Sequence, residues 1–206
     1  MSIITNARWE LLEQRRGSAF GLAGVLILAS LAVPAALGLV TDRAWVAGLL
    51  LVGVAVVSVA AGLAGLYSDV SDQVPRLAVL GIGAATIAGL GALGLIALVV
   101  LGLAGQTLGV TLADPMGVFS ALGLAMAGGF ALGFLLFGFA SWFADRPSRT
   151  VAGLLLLGGM ALITPVGIEV LGLTMGIETP PWVLFPVIGL VALDAIAVGY
   201  LLRARA

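Results

Sequence analysis

The sequence predicts an all-α fold: a polytopic membrane protein whose six transmembrane helices form a bundle of three helical hairpins, with both termini cytoplasmic. Three observations predict it. Of 206 residues, 62% are hydrophobic and only 9% charged, and the mean hydropathy is +1.25. A soluble domain is roughly 45–50% apolar and about 25% charged, and a water-soluble particle of the present composition would expose large apolar patches. Second, six apolar runs have the ~20-residue length that a ~30 Å hydrocarbon core demands. Third, arginine is distributed asymmetrically about those runs.

The elements follow in order. Residues 1–18 are expected to be a short cytoplasmic helix, and residues 19–206 the membrane domain. The stretch Ile3 to Arg16 mixes Trp9, Leu11 and Leu12 with Arg8, Glu10, Glu13, Arg15 and Arg16. Interfacial anchoring and a solvated extension of the first span both account for it. The first span, Phe20 to Val40, ends at Thr41-Asp42-Arg43. It is too long for a signal-peptide core and lacks a cleavage stretch, so it is read as retained. The second, Ala44 to Tyr67, ends in Ser68-Asp69-Val70-Ser71-Asp72. The third, Leu77 to Ala104, is long enough to tilt. The fourth runs from Met116 to Trp142 and the fifth from Thr150 to Leu173. The sixth runs from Trp182 to Leu202. Barrel strands would alternate apolar and polar over about ten residues, whereas these runs are apolar on every face for twice that length.

Six spans put both termini on one side. That side holds Arg8, Arg15, Arg16, Arg76, Arg146, Arg149, Arg203 and Arg205, and the other holds only Arg43. Arginine near span ends is retained in the cytoplasm, so the expected topology is N-in and C-in. Each hairpin opens on an inner arginine: Arg16, Arg76 or Arg149. The first and third share further spacing, Pro34 then Trp45 against Pro165 then Trp182. A parallel internal repeat and recurrent topogenic flanks both explain this.

The chain contains no cysteine and no histidine, and its nine basic residues are all arginine. Disulfides, thiol nucleophiles, Cys/His zinc sites and imidazole bases are therefore excluded, as are lysine Schiff bases and the P-loop lysine. Gly81-x-Gly83 lies inside a span, so it is no dinucleotide loop. Asp69 and Asp72 alone are weak metal ligands. No catalytic residues, metal or cofactor are assigned, and the expectation is a non-enzyme. A formal net charge of −1 argues against a nucleic-acid partner. The expected partner is the lipid bilayer, with a second copy or another membrane subunit alongside.

Polar groups within the bilayer are costly and mark candidate sites. Asp194 lies about twelve residues into the sixth span, which at ~1.5 Å per residue is past the midplane. Its functional reading is a proton or cation relay. The structural readings are a carboxyl bonded to a facing threonine or carbonyl, and an ion pair with an inner arginine. Glu169 lies near the outer boundary, about 15 Å away in depth by the same rise, so the two are no contacting pair. Thr164-Pro165-x-Gly167 is the expected breaking point of the fifth span, because Pro165 removes an N–H and broken helices line transport sites. Ser30, Ser58, Thr86, Ser120 and Thr164 are expected to be structural, bonding back onto their own helices.

Packing is expected through small residues. Gly117, Ala121, Ala125, Gly129 and Gly133 recur every four residues in the fourth span, a ridge that admits close backbone approach. Internal packing and a homo-oligomer seam are the two uses of such a ridge.

Two stretches carry a resemblance: Arg15-Arg16-Gly17-Ser18-Ala19-Phe20-Gly21-Leu22-Ala23-Gly24, and Gly65-Leu66-Tyr67 through Val74-Pro75-Arg76-Leu77-Ala78. Over about a quarter of the chain, the sequence resembles small uncharacterised multi-span membrane proteins of haloarchaea. The resemblance implies a cell-membrane location in a salt-loving archaeon and brings no activity with it. In span number and Gly/Pro spacing alone the chain is also similar to the bacterial HdeD acid-resistance family. The expected function is a non-enzymatic accessory or structural subunit packing through small-residue faces. The alternative is a small proton- or cation-coupled transporter or channel using Asp194.

Overall fold

The computed structural model describes the backbone of residues 3–38, 44–108, 115–175 and 184–204, and the side chains of all of these except 3–10, 106–108, 115–116, 165, 168–175 and 184. The described residues are all-helical. The helices are α1 (Ile3–Leu37), α2 (Ala44–Ala64), α3 (Tyr67–Ser71), α4 (Pro75–Leu108), α5 (Pro115–Ala144), α6 (Arg149–Met175) and α7 (Leu184–Arg203). Among the described residues, five stretches are long and apolar enough to cross a membrane: Leu11–Leu37, Ala44–Ala64, Pro75–Gly105, Gly117–Ala144 and Phe185–Arg203. On α6 the fully described apolar stretch is the shorter Arg149–Thr164.

Two boundaries differ from those the sequence suggests. The segment before the first span is not a separate helix, because α1 is continuous from Ile3 to Leu37. No proline lies between residues 3 and 33, and Gly17, Gly21 and Gly24 each cost only about 1 kcal/mol in helix propensity. The second span stops at Ala64, and the one-turn α3 occupies the link to α4.

The six long helices form a ring in chain order. α1 packs on α2, α2 on α4, α4 on α5, α5 on α6, α6 on α7, and α7 closes back onto α1. α2 also touches α5 across the middle, and α3 lies against α4 and α5. Neighbours run antiparallel, so Arg15, Arg16, Arg76, Arg146, Arg149 and Arg203 gather at one end, called here the arginine end. Arg43 lies outside the described residues.

The ring closes on glycine. A methyl group on Gly24 of α1 would lie 2.5 Å from the Ala192 carbonyl oxygen and 2.5 Å from Ile196 Cγ1, both on α7. One on Gly199 of α7 would lie 2.5 Å from the Gly21 nitrogen and 2.7 Å from the Gly17 oxygen. At Gly199 the nearest atoms are all backbone, and so close an approach maximises dispersion contact where lipid supplies no hydrophobic driving force. The α4–α5 seam is similar: a Gly129 Cβ would meet the Ala88 nitrogen at 2.6 Å and the Ala84 oxygen at 2.8 Å.

Large side chains fill the interior. Phe20, Leu63, Phe134, Phe137, Leu155, Val191 and Val198 are buried together. The outside is apolar as well: Leu22, Ile87, Leu90, Leu101, Leu132, Met160 and Leu193 are exposed. A protein apolar on both faces has hydrocarbon as its solvent. Exposed Trp142 and Tyr200 lie towards the arginine end and exposed Trp45 at the opposite end, as an interfacial aromatic belt places them.

The arginine end is tied by polar contacts. Arg16 Nη1 of α1 pairs with Asp69 of α3 and donates to the Gly65 carbonyl at 3.3 Å. α5 ends at Asp145, whose φ of 53° is a left-handed position that aspartate tolerates. The Arg146 N–H then donates to the Ser141 carbonyl at 3.2 Å. Ser148 Oγ caps α6 by accepting from the Val151 N–H at 3.3 Å. The Arg149–Asp145 pair is exposed and contributes little.

Candidate functional site

α7 turns Val191, Ala192, Ala195, Val198, Gly199 and Leu202 inward and leaves Leu190, Leu193 and Tyr200 outside. Asp194 falls on the inner stripe, three residues after Val191 and four before Val198, the spacing of one helical face. It is 4% exposed. Among the described residues neither Oδ1 nor Oδ2 has a hydrogen-bond partner. Each of the structural readings of this residue requires such a partner, in the form of a threonine, a carbonyl or an arginine. Arg203 is nine residues away along α7, about 14 Å by helical rise, and its stem lies over Gly17.

What Asp194 faces is Gly158 of α6. A methyl on Gly158 would collide with Asp194 Oδ2 and lie 2.8 Å from Phe134 Cδ1 of α5. The carboxyl group therefore occupies a slot with a glycine for one wall and a phenylalanine edge beside it. Phe134 meets Phe20 of α1 edge-on, with centroids 6.1 Å apart and planes at 73°. It meets Phe130 of its own helix at 4.8 Å and 78°, the expected geometry for quadrupolar rings. Asp194 thus lies beside a buried aromatic cluster of the bundle core.

Beyond Phe130, on the side away from the arginine end, lies a half-open cavity of about 190 Å³. Five helices line it: Ile27 of α1, Val52 and Val56 of α2, Met126, Ala127 and Phe130 of α5, Leu162 of α6, and Val187, Ile188 and Val191 of α7. No described lining residue is polar.

The other polar candidates divide differently. Ser30 Oγ donates to the Ile27 carbonyl at 2.6 Å, Ser58 Oγ to Val54 at 2.9 Å and Thr86 Oγ1 to Ile82 at 2.8 Å. Each is satisfied by its own helix. Ser141 is fully buried, and its Oγ lacks a partner among the described residues. Thr164 is exposed, away from Asp194. The backbone of α6 stays helical through Thr164-Pro165-Val166-Gly167, so the expected break is absent. One proline costs a single ladder bond, which a packed membrane helix tolerates. The side chains of Pro165 and Glu169 lie outside the described residues. On the α5 ridge, Gly129 and Gly133 are buried against α4 and α2, Ala125 is half-buried, and Gly117 and Ala121 are exposed.

Sequence reasoning located Asp194 and missed its surroundings. Gly158, the ring-closing Gly17, Gly21, Gly24 and Gly199, and the aromatic cluster all came from the fold. A usable signal existed: Phe130, Phe134 and Phe137 recur at helical spacing, as do Gly17, Gly21 and Gly24. Nothing in one chain's pattern says which helices those stripes meet.

No protein-family model, curated protein or solved structure matches the chain.

Proposed function

We propose that the chain is a six-span protein of the cell membrane, with both termini cytoplasmic, that works as a small proton-coupled transporter with Asp194 as its proton-binding group. One observation carries this reading: a carboxyl group in the bilayer interior, 4% exposed and without a described hydrogen-bond partner. Placing an acid at the centre of a membrane helix costs about 3 kcal/mol on insertion scales. Buried polar groups kept for stability are almost always hydrogen-bonded. A buried carboxyl without a partner among the described residues is suited to taking up and releasing a proton as the bundle changes conformation. The reading requires no cofactor, no metal and no nucleic acid.

Six spans follow if the 27-residue α6 crosses the bilayer like its neighbours. The gathering of arginine at one end supports a cytoplasmic position for that end. The absence of cysteine makes the topology directly testable. Single cysteines at Asp72 and Ser148 are expected to resist a membrane-impermeant maleimide in intact cells, and a cysteine at Arg43 is expected to react. Labelling of all three from outside would overturn the topology.

The proton site has its own test. In infrared difference spectra the wild-type protein is expected to show a carboxylic C=O band that titrates with pH and disappears in Asp194→Asn. Proton uptake by proteoliposomes is expected to be abolished in the same variant, with stability held to within about 1 kcal/mol because the change is isosteric. Unchanged spectra and uptake would overturn the assignment.

A second reading, an accessory subunit, is favoured by the exposed outer part of the α5 ridge at Gly117 and Ala121, where a second copy or another membrane subunit could seat. On that reading Asp194→Asn leaves activity unchanged.

A further inference from the structure

The α1–α7 and α4–α5 seams close to backbone contact, yet the centre of the ring beyond Phe130 does not close. Interiors normally pack to crystal-like density. Here Ala127 and the short Val52, Val56, Val187 and Val191 leave about 190 Å³ between five helices. A single larger side chain at Ala127 would reduce the space. The chemistry of the walls restricts the occupant. A water needs two to four polar partners, and an ion needs replacement of its hydration shell. The described walls offer only aliphatic, thioether and aromatic surface. An engineered apolar cavity of about 150 Å³ takes up benzene or xenon, and this one is somewhat larger.

We propose that this cavity binds a small, uncharged, apolar molecule dissolved in the membrane, and that Phe130 and Phe134 couple its occupancy to Asp194. The contacts are continuous. Phe130 is both wall of the cavity and edge-on neighbour of Phe134, and Phe134 flanks the slot in which Asp194 faces Gly158. Val191, another wall, precedes Asp194 by less than one helical turn. The occupant sets the ring of Phe130, Phe130 sets Phe134, and Phe134 sets the room left for the carboxyl. The coupling rests on the reading of Asp194 as the proton site; binding in the cavity does not.

Other ionisable groups are poorly placed to substitute for Asp194. Those of α1 all precede Gly17, α5 has none between Pro115 and Ala144, and the others on α6 and α7 are Arg149, Glu169 and Arg203 together with Tyr200. Arg149 and Arg203 lie at the arginine end, Tyr200 is exposed, and the Glu169 side chain is outside the described residues.

The test is photolabelling of the intact protein in nanodiscs, using a free aryl diazirine of about toluene size and a phospholipid carrying the same group at its chain end. The free probe is expected to label Met126, Phe130 and Ile188 saturably, to be displaced by benzene, and to lose these sites in Ala127→Phe. Displacement by benzene is read on the wild type, so the result survives a variant that fails to fold. Labelling of the same residues by the lipid probe, with none by the free probe, would overturn the assignment to a free molecule. So would labelling by the free probe that benzene fails to displace. Coupling predicts that the affinity of the free probe changes about fivefold or more between acid and alkaline buffer, the lower end of typical coupling strengths. It also predicts that Asp194→Asn removes the change. Saturable labelling with no dependence on pH in the wild type would overturn the coupling and leave the cavity standing. Absent labelling beside a titrating Asp194 band would overturn the cavity and leave the proton site standing.

Discussion

Gly199→Ala is expected to destabilise the bundle by about 3 kcal/mol, the upper part of the range for overpacking, although alanine ordinarily improves a helix over glycine by roughly 0.5–1 kcal/mol. The sign reverses because of what the new methyl meets. It would lie 2.5 Å from the Gly21 nitrogen, 2.7 Å from the Gly17 oxygen and 2.9 Å from the Gly21 Cα. These are backbone atoms inside a helix, and no rotamer change can move them aside. α1 and α7 must separate, and with them the closure of the ring. The separation also loosens Arg203, whose Cγ lies 2.8 Å from the place of a Gly17 Cβ. Equilibrium unfolding in mixed micelles measures the loss, and Gly153→Ala is the control. Gly153 lies in α6 with no neighbour within 4 Å of its would-be Cβ, so alanine there is expected to stabilise by about 0.5 kcal/mol. Equal effects at the two positions would remove the close α1–α7 seam from the account.

The second large effect is expected at Gly158. Alanine there drives a methyl into Asp194 Oδ2 and sets it 2.8 Å and 2.9 Å from Phe134 Cδ1 and Cε1. A loss of about 1–3 kcal/mol follows from overpacking. The distinctive feature is its coupling to Asp194. Asp194→Ala removes the colliding oxygens, so the double variant Gly158→Ala/Asp194→Ala is expected to recover about 1 kcal/mol or more relative to additivity, within the usual range for contacting residues. Asp194→Asn keeps the same shape and should recover none of it. Strict additivity in the cycle with Asp194→Ala would show that the carboxyl does not sit against Gly158, and the slot would lose its wall. A variant with alanine at 158 that keeps its fold should also lose proton uptake, because the carboxyl is pushed from its place beside Phe134.

Much of the fold was legible before any coordinates. Hydropathy is a local property, and a membrane helix satisfies its backbone within itself, so run length alone locates helices. The core of each of the six runs is helical, and the boundaries move by a few residues at most sites. The exceptions have local causes. α1 extends back to Ile3 because charged residues interrupt the apolar run without interrupting the helix. The second run stops early because the chain turns at Gly65 and Leu66 into α3 before its apolarity ends. Pro165 does not interrupt α6, since a proline's cost depends on how firmly its neighbours hold the helix.

Asp194 was legible for the same local reason: a charge in an apolar run stands out whatever the fold. Its environment was not. The difference between a paired acid and an unpaired one, between Gly158 and any other glycine, and between the ridge on α5 and the seam on α1 and α7 depends on which helix faces which. The membrane-spanning stretches are apolar on nearly all sides, so no amphipathic stripe marks an inward face. Length and charge asymmetry along the sequence determine that the helices exist and support how they are threaded. Only tertiary packing, settled by where glycine lets backbones touch and where phenylalanine fills the centre, decides that α7 closes onto α1 and that Asp194 faces a glycine wall.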